Sequence, residues 1–190
     1  MMDKKVEIFN AGRELFFSKG FKDTNVSDIT KIAGVGVGTF YNYYDSKEKL
    51  FFEIFMKESE KHKMHVIESL DLNEDPVTVA KKLVALNINA MNSNRILKEW
   101  NNRELSRELE QYYRDENEKN GDFFHNFYID ILRNWKAEGK IRSDIDDGIL
   151  LDLFNILEYI DTHKEEIGIQ YFPQVLQYLG DFIMKGLTDY

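Results

Sequence analysis

Residues 33–44 read Ala33-Gly34-Val35-Gly36-Val37-Gly38-Thr39-Phe40-Tyr41-Asn42-Tyr43-Tyr44, and they decide the fold. A helical pattern ends at Ala33, and Gly34 suits the left-handed position that closes a helix. After the turn, Val37–Tyr43 forms a second short helix with Phe40 pointing inward. Two short helices joined by a Gly-containing turn read as a helix-turn-helix, in which the second helix enters the DNA major groove.

Working outward, Ile8, Ala11, Gly12, Leu15 and Phe16 recur at i, i+3, i+4, i+7 and i+8, the apolar face of a first helix that ends at Gly20. Thr24 and Asn25 are both suitable caps for the second helix, with Ser27 and Asp28 in its first turn. Val26, Ile29, Ile32 and Ala33 are expected on its buried side. Asp45 and Glu48 have capping-box spacing for a fourth helix whose core face is Leu50, Phe51, Ile54 and Phe55.

Farther along, Asp75-Pro76 predicts a cap with proline at the first helical position and a helix to about Asn92. A short segment covers Ile96–Trp100, and a long helical stretch, broken near Asn120-Gly121, reaches Glu138-Gly139. Asp144–Asp147 offer caps for a helix carrying Ile149, Leu150, Leu153, Phe154, Leu157 and Ile160. A last helix begins near Pro173 and carries Val175, Leu176, Leu179, Phe182 and Ile183. With 43% apolar residues, only 2 prolines and 11 glycines in 190 residues, the expected fold is all-α. The expected domains are a helix-turn-helix DNA-binding domain over 1–46 and a helical ligand-binding and dimerisation domain over 47–190.

The net charge of −9 is unevenly spread: residues 1–50 hold eight Lys and Arg against seven Asp and Glu, and the rest holds 17 against 27. An acidic body repels DNA at long range, so phosphate contact falls to a few placed groups. Cysteine is absent, which excludes disulfide and thiolate chemistry and fits a reducing cytosol. No signal-peptide pattern opens the chain and no apolar run approaches a membrane span, so a cytoplasmic location without membrane attachment is expected.

Gly20-Phe21, Thr24, Ile29, Ala33-Gly34-Val35, Gly38-Thr39-Phe40-Tyr41, Tyr43-Tyr44 and Lys47-Glu48 with Leu50 together resemble the signature of the TetR/AcrR family of bacterial transcriptional regulators. The resemblance covers roughly the first quarter of the chain. It implies a homodimer, usually a repressor, released from a palindromic operator by a small ligand. Carried over by position, it places the recognition helix on Val37–Tyr43, phosphate contacts on Tyr41 and Lys47, and further backbone contacts on Thr24 and Ser27. Gly36 and Val37 depart from the family pattern, where polar residues are common.

No Lys or Arg lies between Gly34 and Tyr44, so the commonest guanine contact is missing from the recognition helix. Asn42 offers a bidentate pair to adenine, Thr39 and Tyr43 offer hydroxyls, and Val37 and Thr39 offer methyls to thymine. Gly38 is counted among the DNA-contacting positions, and an A·T-leaning half-site is expected. Lys4, Lys5 and Lys49 could add phosphate contacts. Tyr44 reads better as packing than as a DNA contact.

In the body, aromatic residues are expected mostly in the core, with some lining an effector cavity, as regulatory pockets are apolar with a few polar anchors. The candidates are Asn87, Trp100, Tyr112, Phe123, His125, Asn126, Phe127 and Glu158. The last two helices each carry an apolar stripe suited to a two-fold, four-helix dimer interface. No cofactor or metal is expected: His62 and His65 read as an exposed pair, and Asp144-Ile145-Asp146-Asp147-Gly148 lacks the glycine position and the glutamate of a calcium loop. An enzyme is disfavoured because no catalytic triad assembles around the 4 histidines. A helical protein-interaction module without DNA binding is the competing reading.

Overall fold

The structure is a computed structural model. It describes residues 3–120, 123–162, 168, 170, 171 and 174–189, without the side chains of residues 91, 101, 103, 104, 106, 113, 116–120, 123–125, 158, 161 and 162. Among the described residues the regular structure is helical. The order is α1 (Lys4–Lys19), α2 (Val26–Ala33), α3 (Val37–Tyr41), α4 (Lys47–Ser69), α5 (Pro76–Ser93), α6 (Arg95–Lys98), a 3-10 turn (Glu99–Asn101), α7 (Arg103–Asn120), α8 (Phe123–Ala137), α9 (Asp147–Thr162) and α10 (Gln174–Thr188). The chain divides into two compact units, one of residues 1–68 with 85–119, the other of residues 69–84 with 120–190.

Local chemistry sets most of the helix ends. Asn25 Oδ1 accepts the Asp28 amide at 2.8 Å and caps α2. Gly34 ends α2 in the left-handed region, φ 66° and ψ 31°, a conformation that disfavours any Cβ. Asp75 Oδ1 accepts the Thr78 amide at 3.0 Å over the Pro76 start of α5, and Asp146 Oδ1 accepts the Gly148 amide at 2.8 Å before α9. The start of α4 differs from expectation. Ser46 Oγ, one residue beyond Asp45, accepts the Lys49 amide at 3.3 Å, because α4 opens at Lys47.

The first unit has one aromatic-rich core. Ile8, Leu15 and Phe16 of α1, Ile29 of α2, Phe40 of α3 and Leu50, Phe51, Phe52, Ile54 and Phe55 of α4 pack with Ile96, Leu97, Leu105 and Leu109. Phe51 meets Phe16 and Phe21 edge-on at 5.1 and 5.0 Å between ring centres. Gly12 lets α1 approach α4: a Cβ there would lie 2.7 Å from Leu50 Cδ2. Ile32 departs from the expected buried side of α2, being 49% exposed. Thr30 is buried instead, its hydroxyl satisfied by donation to Ser27 O at 3.1 Å.

The second unit centres on Val79, Ile131, Leu132, Trp135, Ile141, Leu150 and Leu187. Its loop between α8 and α9 is held by charge. Lys136 Nζ donates to Asp147 Oδ1 at 2.6 Å and to Ile145 O, and Arg133 Nε donates to Asp147 Oδ2 at 2.8 Å. Arg142 forks onto Asp144 with two 2.6 Å bonds, and its backbone amide donates to Leu187 O at 2.9 Å. Hydrogen bonds from Lys136 and Arg133 hold the Asp147 carboxyl below its ordinary range, and the Arg142 fork does the same for Asp144.

Candidate nucleic-acid interface

The turn between α2 and α3 is closed by backbone bonds alone. Val35 N donates to Thr30 O at 3.0 Å, and Gly36 O receives the Thr39 and Phe40 amides at 2.9 and 3.3 Å. Gly36 caps α3 with no side-chain bond, the small loss expected where serine is absent. Regular α-helix ends at Tyr41, and Tyr43 and Tyr44 continue as a turn on Phe40 O at 2.9 and 3.0 Å. The helix expected over Val37–Tyr43 is therefore a five-residue helix, Val37–Tyr41, with a turn attached.

Phe40 anchors this segment with no exposed surface, and Tyr44 packs beside it at 5.8 Å between ring centres. Burial, reinforced by the Glu53 carboxylate, pushes the Tyr44 phenol above its usual range. Lys5 pairs with Glu53 at 3.1 Å and stands 5.4 Å from the centre of the Tyr44 ring. With Phe40 and Tyr44 inward, the other side chains of the segment face outward. Val37 is 46% and Tyr41 53% exposed, and Gly38, Asn42 and Tyr43 are exposed, with Thr39 half-buried. This row is uncharged and mixes hydroxyls, an amide and methyls. Ser27 is exposed in the first turn of α2.

Thr24 and Lys47 sit differently. Thr24 is buried and its hydroxyl donates to Gly20 O at 2.8 Å. Lys47 Nζ donates to Phe21 O and Thr24 O at 3.0 and 2.8 Å and lies 4.0 Å from the centre of the Phe21 ring. Both side chains are engaged in holding the α1–α2 loop. Lys49 lies 5.5 Å from the centre of the Tyr112 ring.

The effector candidates are divided between the two units. In the first, Trp100 stacks on Phe55 at 5.7 Å, Tyr112 packs on Phe52 at 5.4 Å, and exposed Asn87 Oδ1 lies 2.8 Å from His62 Nε2. In the second, Asn126 is exposed and Phe127 packs edge-on to Tyr128 at 5.7 Å. The side chains of Phe123, His125 and Glu158 lie outside the described ones, as does His163. An open concavity on α1, lined by Asn10, Arg13, Glu14, Phe17 and Ser18, contains none of these residues. Among the described residues no group of three or more His, Asp or Glu could hold a metal, and no helix is long and apolar enough to cross a membrane.

Residues 8–54 match the family described as bacterial regulatory proteins, tetR family. An uncharacterized HTH-type transcriptional regulator of Bacillus subtilis, YhgD, is 41% identical over 54 residues, covering 28% of each chain. The matches to this and the next two curated relatives span 28–43% of those relatives' lengths. Two solved structures cover nearly the whole chain. The fatty acid degradation regulator FadR from Bacillus halodurans is 20% identical, with a TM-score of 0.59 over 97% of this chain and 96% of that one. Thermus thermophilus FadR, a transcriptional repressor in complex with lauroyl-CoA, is 22% identical, with a TM-score of 0.57 over 96% and 94%. At these identities the two structures establish the fold alone.

Proposed function

We propose that this chain, whose residues 8–54 belong to the tetR family of bacterial regulatory proteins, is a homodimeric transcriptional repressor released from DNA by a small-molecule effector. The matched family consists of transcriptional regulators, and the chain acts as one rather than as an enzyme. The observation that carries this reading is the outward row of Val37, Gly38, Thr39, Tyr41, Asn42 and Tyr43, pinned from behind by buried Phe40 and Tyr44.

Asn42, Thr39 and Val37 read bases, with an A·T preference because no cation reaches guanine. Tyr41 and Ser27 bind phosphate and set the register. Thr24 and Lys47 serve the same surface through the loop they hold, and Lys47 retains one N–H beyond its two carbonyl partners.

The dimer forms through α9 and α10, whose exposed Ile149, Ile156, Tyr159, Tyr178 and Phe182 suit an isologous contact. Two-fold symmetry then presents two recognition segments about 34–36 Å apart, one helical turn of DNA, or a multiple of it. The effector is a small molecule with an apolar portion, in keeping with the lauroyl-CoA held by Thermus thermophilus FadR. Asn87, Trp100, Tyr112, Asn126 and Phe127 are the side chains to substitute in locating it. Coupling of about 1–3 kcal/mol between effector and operator weakens DNA binding roughly 5- to 150-fold.

A mobility-shift titration against the DNA flanking the gene tests the proposal. Tyr41→Phe should weaken binding on every sequence, whereas Asn42→Ala should relax base preference. Absence of binding by the folded wild-type chain to every duplex would leave a protein-interaction module as the reading.

A further inference from the structure

The loop from Gly20 to Thr24 leads into Asn25, the cap of α2, and its backbone is held by side chains remote in sequence. Besides the two Lys47 bonds, Phe21 N donates to Glu99 Oε1 at 3.3 Å, and Arg95 Nη1 donates to Ser18 O at the end of α1. Glu99 is itself fixed, because Asn102 Nδ2 donates to its Oε2 at 2.6 Å. The segment bearing Glu99 is anchored by Asn94. Its Oδ1 accepts the Ile96 and Leu97 amides at 2.9 and 3.3 Å, and its Nδ2 donates to Glu58 Oε2 at 3.0 Å. Glu58, only 7% exposed, also accepts Arg13 Nε of α1 at 2.6 Å.

An acidic side chain on a DNA-binding head ordinarily lowers affinity by repelling phosphate. Here the acid holds the loop that orients α2. We propose that Glu99 is a positioning residue for DNA binding, whose carboxylate oxygen fixes the Phe21 amide and thereby the pose of the α2 start. This rests on the DNA-binding reading above, and its structural half is separately measurable.

The test compares two neutral replacements. Glu99→Gln removes the charge and keeps its one oxygen for the Phe21 amide, with the Asn102 amide turning its Oδ1 to accept from the new Nε2; Glu99→Ala removes both acceptors. On a duplex selected by the wild-type protein, Glu99→Ala should bind about 3- to 10-fold more weakly, one lost hydrogen bond's worth. Its slope of log K against log salt should be unchanged, because no phosphate contact is removed. Glu99→Gln should stay within about twofold of wild type. Amide hydrogen exchange at Phe21 should quicken in Glu99→Ala and not in Glu99→Gln. Equal or tighter binding by Glu99→Ala, as loss of a negative charge alone dictates, overturns the proposal. If the wild-type protein binds no duplex, the DNA reading fails, and unchanged exchange at Phe21 in Glu99→Ala overturns the loop-fixing role on its own. Should Glu99→Ala not fold, Glu99→Asp, which keeps the charge and withdraws the oxygen by one methylene, takes its place with the same expected and contrary results.

Discussion

The two units treat their apolar side chains differently. In the first, Phe16, Phe40, Phe51 and Phe52 are wholly or almost wholly buried, drawn from α1, α3 and α4 into one core. What that unit exposes around α3 is mostly amphipathic: two tyrosines, an asparagine and a threonine beside a single valine. In the second unit, α9 and α10 bury one face, with Leu150, Leu151, Met184 and Leu187, and leave another open, with Ile149, Ile156, Tyr178 and Phe182, the last 64% exposed. A surface of polar-tipped side chains with little aliphatic area suits a wet, hydrogen-bonding duplex, and one of aliphatic and aromatic groups suits a protein copy. On the function proposed above, the first unit offers the reader and the second the dimer face.

The largest test of this contrast is Phe51→Ala. Deleting a phenyl ring at the centre of the first core should destabilise that unit by about 3–5 kcal/mol, read as a lowered denaturation midpoint. An unchanged midpoint would break the comparison from the head side. Next comes Tyr178→Asp with Phe182→Asp, which places two charges where a stacked aromatic pair stands 6.2 Å apart. Sedimentation should show the dimer dissociation constant raised by about 100-fold or more, with helix content retained. An unaltered dimer would remove α10 from the interface. Gly34→Ala sharpens the account of the turn. A Cβ at φ 66° should lower first-unit stability by about 1–2 kcal/mol, visible in thermal melting, although nothing lies within 4 Å of the added atom.

The smallest effect is expected in acid. Asp144 and Asp147 have folded-state values below the ordinary carboxylate value, through hydrogen bonds from Arg142 and from Lys136 and Arg133. The stability they contribute is present above the unfolded value, about pH 4, and is lost as pH falls through the folded values. Asp147→Asn should therefore flatten the acid limb of the second unit's stability curve below about pH 4. Superimposable curves would show that the loop clasp contributes nothing.

What the sequence disclosed follows interaction range. Gly34 and Asp75-Pro76 act within a few residues, so their roles as turn and cap are legible from spacing alone, and spacing narrows the α2 cap to Thr24 or Asn25. Phe40 was legible as the inward anchor. Periodicity misplaced Ile32 because α2 is only eight residues long and can bury Thr30, whose hydroxyl has a partner one turn back. Asp45 yielded to Ser46 because capping depends on a one-residue shift in helix start. Trp100 and Tyr112 carried no sign that they would pack on Phe55 and Phe52. The Phe21–Glu99 bond joins positions 78 apart, and the engagement of Lys47 with Phe21 O and Thr24 O depends on the same tertiary arrangement. No local pattern announces contacts of that range.

Selection of duplexes from a random library by the wild-type chain, read by sequencing, bears most directly on the central claim. The account predicts an inverted repeat with A·T-leaning half-sites, their centres about one helical turn, 10–10.5 bp, or a multiple of it apart. Recovery of no enriched sequence by a folded dimer, or of unpaired G·C-rich sites, would contradict it.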